Sequence, residues 1–375
     1  MPNNSSETRK KMLVICPFPE GVAAGQRLKY EQYFDDWREK GWDIDVSSFM
    51  DMWMWNVVYK KGHYPQKVLG VIRGTRRRIK DLFRMPQYDL IYVFMWVTPF
   101  GTSVMERLTR KLASHLVFDV EDNVLIEQNL PKDQNPNPLV KLLKGPWKTR
   151  FLITHADHVI TSSPFLNDLC MDINAKKSCT YISSSVDTDR FLPATPYSNE
   201  RPVVIGWTGT FSSKVCLDLL QDVFRELSKR VPYKLKVIGN FEYELPGVDL
   251  EVVQWTKEHE ITDLQTFDIG VYPLPINDWV LGKSGLKAIQ YMAFGLPTVA
   301  TEVGTTPLLI EHDKNGLLVK TDVEWIEALE RLVKDAALRQ RIGEAARKSA
   351  VKNYSLHAIR KSYSKVLNSV MESEK

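Results

Sequence analysis

Cysteine is scarce: Cys16, Cys170, Cys179 and Cys216 are spread over 375 residues with no C-x-x-C pair. That scatter argues against a disulfide framework and against a cysteine-built zinc site, and it fits a reducing, cytosolic compartment. Long apolar runs are also missing. None approaches the roughly 20 residues needed to cross a bilayer, so membrane contact is expected to be peripheral at most. Neither half of the chain shows G-x-G-x-x-G after its first strand, which argues against dinucleotide-dependent redox chemistry. A net charge of +4 is too small to imply nucleic acid, and no helix-turn-helix, zinc-finger or RNA-recognition signature accompanies it. His63, His115, His155 and His158 lack metal-ligand spacing, so neither metal nor cofactor is expected; the pair 155/158 reads as structural.

What is present is the composition of a globular protein, 43% hydrophobic and 26% charged, in a chain long enough for two hydrophobic cores. Arg9, Lys10 and Lys11 precede the run MLVICPF, which is short and meets Pro17 and Pro19; it reads as a first strand rather than a leader. WDIDVSSF, DLIYVFMW, HLVFDVED, HVITSS and SCTYISSS follow, separated by segments long enough for crossover helices, including a helical stretch through Tyr30 and Trp37. After a Pro-rich break the grammar restarts with VVIGWTG, a helix from about Lys214 to Arg230, YKLKVIGN, DLEVVQW, DIGVYPL, LKAIQYMAFG, PTVAT and GLLV. Repeated strand–helix alternation implies two doubly wound α/β units with parallel sheets. The expected division is 1–186, a linker 187–202, 203–353, and a C-terminal helix 354–375 that packs back on the first unit.

One segment has almost no negative charge. Between Lys60 and Arg84, nine cations (Lys60, Lys61, Lys67, Arg73, Arg76, Arg77, Arg78, Lys80 and Arg84) face Asp81 alone. Interleaved Val68, Leu69, Val71, Ile72, Ile79, Leu82 and Phe83, with Trp53, Trp55 and Tyr59 just before, give two readings of equal weight. Residues 53–84 either meet an anionic membrane surface or form a solvated helix whose apolar stripe packs on the core.

The second half holds the candidate site. Around Thr208, Gly209, Thr210, Ser213 and Lys214 a strand ends in a small-residue loop before a helix; the next strand ends at Gly239. Such loops admit phosphate, and the same residues serve equally as turn and cap residues. Lys283 and Lys287 flank Ser284 and Gly285 at the start of a helix, four apart, so both side chains can meet one polyanion or both can face solvent. In the first half FDVEDN ends a strand with Asp119, Glu121 and Asp122, which either orient acceptor hydroxyls or act as caps and ion-pair partners.

The run QYMAFGLPTVATEVGTTPLLIEHDKNGLLV, within 268–319, resembles the donor-binding segment of glycosyltransferase family 4, the group 1 glycosyltransferases. SSSVDTDRF from Ser183 to Phe191 resembles that family's linker motif, with Ser184 and Ser185 in place of its Asn and Gly. FPEGVAAGQRLKYEQYFDDWREKGWDIDV from Phe18 to Val46 resembles its N-terminal glycine loop and helix, and HADHVITSSPFL the strand before the linker. Where many members have paired glutamates this chain has Gly282 and Gln290, and it shares K-x-G-x-K and QYMA with a subset. The resemblance implies a GT-B fold of two Rossmann-like domains and a retaining, metal-independent transfer from a nucleotide-sugar to a glycan or lipid-linked acceptor. It implies Lys283 and Lys287 as catalytic groups, to which the acidic end of FDVEDN adds Asp122 as a candidate acid or base. Thr208, Gly209, Thr210, Ser213, Lys214, Gly239, Ser284, Gly285 and Gln290 would meet the donor, and Gly21, Gly25 and Arg27 the phosphates or acceptor. The expected setting is surface polysaccharide synthesis at the inner face of the membrane. The competing readings are a catalytically silent glycan- or nucleotide-binding scaffold and a nucleotide-sugar epimerase.

Overall fold

The computed structural model describes residues 9–100, 102–121, 146–194 and 201–373. They fall into two compact units, 1–182 with 360–375, and 183–359.

In the first unit β1 (Lys10–Cys16), β2 (Trp42–Ser48), β3 (Leu90–Phe94), β4 (Leu116–Val120), β5 (His158–Thr161) and β6 (Cys179–Tyr181) form one sheet in the order β2-β1-β3-β4-β5-β6. Every pairing in it is parallel. β3, β4 and β5 are buried along their whole length, as strands covered on both faces must be. The edge strand β2 instead exposes Asp43 and Asp45, charges that discourage further pairing.

The second unit repeats the plan with β7 (Val203–Gly209), β8 (Tyr233–Gly239), β9 (Leu250–Gln254), β10 (Ile269–Tyr272), β11 (Thr298–Thr301) and β12 (Leu317–Val319), ordered β12-β11-β10-β7-β8-β9. Its core gathers Ile205, Leu235, Val237, Ile269, Val271 and Val299 from the strands with Leu217, Phe224, Leu329 and Ile342 from the helices. Thr188 and Phe191, in the stretch read as linker, are strapped to this unit. Arg347 donates to Thr188 O at 2.7 Å, Phe191 O at 2.7 Å and Ala293 O at 2.6 Å.

Two expected helices are broken. The stretch through Tyr30 and Trp37 consists of a helix Ala24–Arg27, a 3-10 turn Glu31–Tyr33 and a helix Phe34–Glu39. Leu28, Lys29 and Tyr30 are all buried, and three consecutive residues cannot share one side of a regular α-helix. The expected helix from Lys214 to Arg230 divides into Lys214–Asp218 and Gln221–Ser228. No described helix is long and apolar enough to cross a membrane.

The helix Tyr64–Arg84 is mounted by an unusual face. Gly70, Gly74, Arg78 and Asp81 are its buried residues. A methyl group at Gly70 would lie 2.7 Å from the Met54 side chain, and one at Gly74 would lie 2.6 Å from Phe49 O, so the missing side chains let the helix approach closely. Arg78 is fully buried. It donates to Cys16 O at 2.7 Å, Val97 O at 2.7 Å, Ser47 O at 3.0 Å and Asp81 Oδ2 at 3.1 Å. Its guanidinium therefore closes the ends of β1 and β2 rather than joining a surface patch, and with Asp81 it forms an internal pair.

His158 opens β5 with Nδ1 2.7 Å from Ser178 Oγ and Nε2 3.0 Å from Thr180 Oγ1. Burial pushes its pKa down to about 4 from 6.5. The unfolded chain binds the proton first on acidification, so stability is complete above pH 6.5 and falls as the pH drops toward 4. The expected loss is on the order of 3 kcal/mol, seen as a falling urea midpoint across that window, and His158→Gln should flatten this part of the profile.

Candidate functional site

The strand order of the second sheet reverses at β7, which has β8 and β9 on one side and β10 to β12 on the other. In such sheets ligands bind outside the carboxyl ends of the strands at the reversal, here beyond Gly209 and Tyr272. Two glycines set the packing below that point. Gly206 and Gly270 are register partners across β7 and β10. A methyl group on Gly206 would lie 2.1 Å from the Phe267 ring, and one on Gly270 would lie 2.5 Å from the Tyr291 ring. Strand positions without side chains thus seat two aromatic rings whose centroids are 6.2 Å apart. Tyr291 is wholly buried in the helix Leu286–Ala293, and its hydroxyl accepts the Thr208 N–H at 3.0 Å. That bond ties the helix to the end of β7.

The segment before this helix is equally constrained. Gly285 is the cap residue at φ +75°, a left-handed conformation that glycine adopts without strain; a methyl group there would lie 2.4 Å from Leu309 Cδ1. Thr305 Oγ1 donates to Lys283 O at 2.9 Å, and Ser284 and Gln290 are buried. Lys283 therefore precedes the helix in extended conformation while Lys287 lies within it. The expected one-turn spacing on a single helix does not hold, because the left-handed Gly285 breaks the helical path between them. The two ammonium groups rest against different rings. Burial pushes the Cys216 thiol up, against the opposing charges of Lys287 and Lys283. Lys283 Nζ sits 4.3 Å from the centre of the Trp279 ring, and Lys287 Nζ is 5.7 Å from that of Trp207 and 5.9 Å from that of Tyr272. Aromatic faces stabilise cations.

The loop after β7 is less open to a phosphate than its composition implies. Besides Thr208, the Phe211 N–H is taken by Asn240 Oδ1 at 2.8 Å and the Ser213 N–H by Thr210 O at 2.9 Å. Ser213 Oγ donates back to Thr210 O at 3.0 Å, and Thr210 Oγ1 lies 2.8 Å from Ser212 Oγ. Lys214 is paired with Asp218, one turn on, at 2.9 Å. Gly209 and Gly239 end β7 and β8 as register partners. A methyl group on Gly239 would come within 2.8 Å of Gly209 O.

In the first unit the glycine loop lies beside the end of β4. The Gly21 N–H donates to Glu31 Oε2 at 2.8 Å, and Gln26 Nε2 donates to Phe18 O at 3.0 Å. Burial raises the pKa of Glu31 against the hydrogen bonds that the Gln26 amide and the Gly21 N–H donate to its carboxylate. A methyl group on Gly25 would meet Glu121 Oε2 at 2.7 Å, so this glycine gives the Glu121 carboxylate room; Arg27 ends the same short helix. Asp119 does not project from the strand end as expected. It is fully buried, bonded to Lys29 Nζ and the Tyr92 hydroxyl, because a carboxylate inside the sheet must be paired. Asp122 lies outside the described residues. Among those described, no group of three or more His, Cys, Asp and Glu side chains is placed to hold a metal ion.

Residues 202–335 match the family model described as glycosyl transferases group 1. The second unit is thus a group 1 glycosyltransferase domain. The fold of the whole chain is GT-B, with two Rossmann-like units. It is similar to sucrose-phosphate synthase from Thermosynechococcus elongatus, with a TM-score of 0.72 at 15% identity over 98% of this chain and 100% of that one. Anabaena HepE in complex with UDP-glucose gives a TM-score of 0.65 at 15% identity over 96% of this chain and 100% of that one. In sequence, the D-inositol 3-phosphate glycosyltransferase of Corynebacterium aurimucosum is 28% identical over 52% of this chain and 53% of its own length. That of Pseudarthrobacter chlorophenolicus is 30% identical over 35% and 30%. The chain spans about half the length, or less, of these curated relatives.

Tyr291, Gly206, Gly270, Trp279 and Thr305 escaped the sequence reading. The one local signal was the Ile-Gly step shared by VVIGWTG and DIGVYPL, which has meaning only once β7 and β10 are neighbours. Tyr291→Phe should remove the acceptor of the Thr208 N–H at a cost of about 1 kcal/mol. The checks are a lower urea midpoint and faster amide exchange at Thr208 with the fold intact by circular dichroism.

Proposed function

We propose that the chain is a retaining glycosyltransferase. It moves a sugar from a nucleotide-sugar bound by the second unit to a hydroxyl of a glycan or lipid-linked acceptor bound by the first, at the cytoplasmic face of the membrane in surface polysaccharide or glycoconjugate synthesis. The observation that carries this reading is Lys287, whose ammonium lies against Trp207 of β7 and Tyr272 of β10 at the reversal of the second sheet, inside the stretch that matches the family and four residues after Lys283. As the bond from the anomeric carbon to the diphosphate lengthens, negative charge grows on the leaving oxygens and cationic character on the sugar. Two fixed ammonium groups oppose the first change, and they act more strongly as the transition state develops. The loop Thr208 to Ser213 and the cap at Gly285 shape the wall against which the diphosphate lies. Retention follows the resemblance to family 4: the departing phosphate oxygen takes the acceptor proton on the same face of the ring.

UDP-sugars are the first donors to test, since HepE was solved with UDP-glucose and with UDP. One feature favours the silent-scaffold reading. Gly282 and the buried Gln290 supply no carboxylate for the donor hydroxyls, and the Gln290 amide offers hydrogen bonds without charge. Calorimetry with UDP-, GDP-, ADP- and TDP-sugars, followed by a donor-hydrolysis assay, separates the two. The enzyme reading expects one nucleotide class to bind and to turn over. Lys283→Ala/Lys287→Ala should lower that turnover by roughly 10² to 10³-fold. Binding with neither transfer nor hydrolysis in the wild type identifies a scaffold, and binding undiminished in the double variant removes these lysines from the site.

A further inference from the structure

The helix Tyr64–Arg84 has three faces. Gly70, Gly74, Arg78 and Asp81, spaced four, four and three residues apart, are its buried seam. Tyr64, Val68, Ile72, Ile79 and Phe83, spaced four, four, seven and four apart, form a second stripe. This one is exposed: Tyr64 by 72%, Val68 by 59% and Phe83 by 80%. At 1.5 Å per residue the stripe runs for about 28 Å. The core therefore takes the polar and glycine face, with Val71 and Leu82 packed at its border, and leaves this apolar stripe outside, unlike an ordinary amphipathic surface helix. The preceding helix Met52–Val58 adds exposed Met52 and Trp53, and Tyr59 just beyond it is exposed as well.

Between seam and apolar stripe run Arg73, Arg77, Lys80 and Arg84, with Arg76 closer to the apolar side. From Met52 to Arg84 the one acidic residue is Asp81, which is buried against Arg78; from outside the segment Asp51 lies 3.8 Å from Arg73 and from Arg77, and Asp45 pairs with Arg84, so cations outnumber acids on this surface. Arg73, Arg76, Arg77 and Lys80 line one shallow depression with Asp51, and the Arg73 guanidinium also lies 4.7 Å from the centre of the Trp53 ring.

We infer that this face, Met52 to Arg84, is a docking surface for an anionic phospholipid bilayer. The apolar stripe enters the acyl boundary and the Arg73/Arg76/Arg77/Lys80 depression receives a headgroup phosphate. An apolar strip flanked along its length by cations is complementary to hydrocarbon beneath a layer of negative charge. A protein partner fitting the same face would need an apolar ridge bordered by acids, and the described surface of this segment offers no such pairing to a second copy. The inference is independent of the donor site.

The test is co-sedimentation of the full chain with phosphatidylcholine vesicles, with and without about a quarter phosphatidylglycerol, at low and high salt. Binding that requires phosphatidylglycerol and weakens with salt is expected, together with quenching of Trp53 by brominated acyl chains that is lost in Trp53→Phe. Each cation at the surface contributes roughly five-fold, so Arg73→Gln/Arg76→Gln/Lys80→Gln should bind about 10²-fold more weakly. Ile72→Ser/Phe83→Ser should lose about ten-fold or more. Nucleotide binding by both variants, measured in parallel, should be unchanged and reports intact folding. Equal binding to both vesicle types, or full binding by Ile72→Ser/Phe83→Ser, overturns the proposal. So does self-association by analytical ultracentrifugation that Ile72→Ser/Phe83→Ser abolishes without any vesicle binding, which would assign the face to a second copy.

Discussion

The arrangement of the second unit's candidate site depends on two absent side chains. Gly206 and Gly270 face each other across β7 and β10, and neither strand would tolerate a Cβ where the rings of Phe267 and Tyr291 lie. Because Tyr291 sinks against β10, its hydroxyl reaches the last turn of backbone on β7, and the helix that carries it is fixed in rotation and depth. The position of Lys287 follows from that helix. The position of Lys283 follows from the left-handed Gly285 and from Thr305. Close packing transmits the constraint: interiors at crystal-like density do not permit one element to shift without its neighbours.

The first unit uses the opposite device, a large charged group in the interior. Arg78 satisfies carbonyls at Cys16, Ser47 and Val97 that end or follow strands of the sheet. A buried guanidinium is tolerated because its donors are matched and Asp81 neutralises it. The consequence is rotational. Once Arg78, Gly70 and Gly74 face inward, the 3.6-residue period fixes Tyr64, Val68, Ile72, Ile79 and Phe83 on the outside. Removing Arg78 and Asp81 from the basic segment takes away one charge of each sign, so the segment's own excess of cations is kept, and Asp51 and Asp45 of neighbouring elements offset part of it.

Two buried ion pairs neutralise charge inside the first unit. Lys29 with Asp119 and Arg78 with Asp81 pair where the chain must bury charge, and His158 stays neutral between two hydroxyls. Lys283 and Lys287 rest against aromatic rings, half-buried.

Local patterning alone determined the strands, their all-parallel class and the two-sheet plan, because a fully covered parallel strand demands a continuous apolar run and a crossover demands length. It also determined the segment of the chain in which Lys283, Gly285 and Lys287 lie, since K-x-G-x-K before QYMA is contiguous. Only the tertiary structure decided which way each side chain faces and what it meets. Asp119 and Glu121 are two apart in FDVEDN, yet one is sealed under Lys29 and the other meets Gly25. Arg77 and Arg78 are adjacent, yet one lines a surface depression and the other holds the sheet. The apolar positions of Tyr64–Arg84 gave no sign of which helix face the core would claim. That choice rests on Phe49, Met54 and the ends of β1 and β2, residues brought to the helix by folding and invisible in its own period.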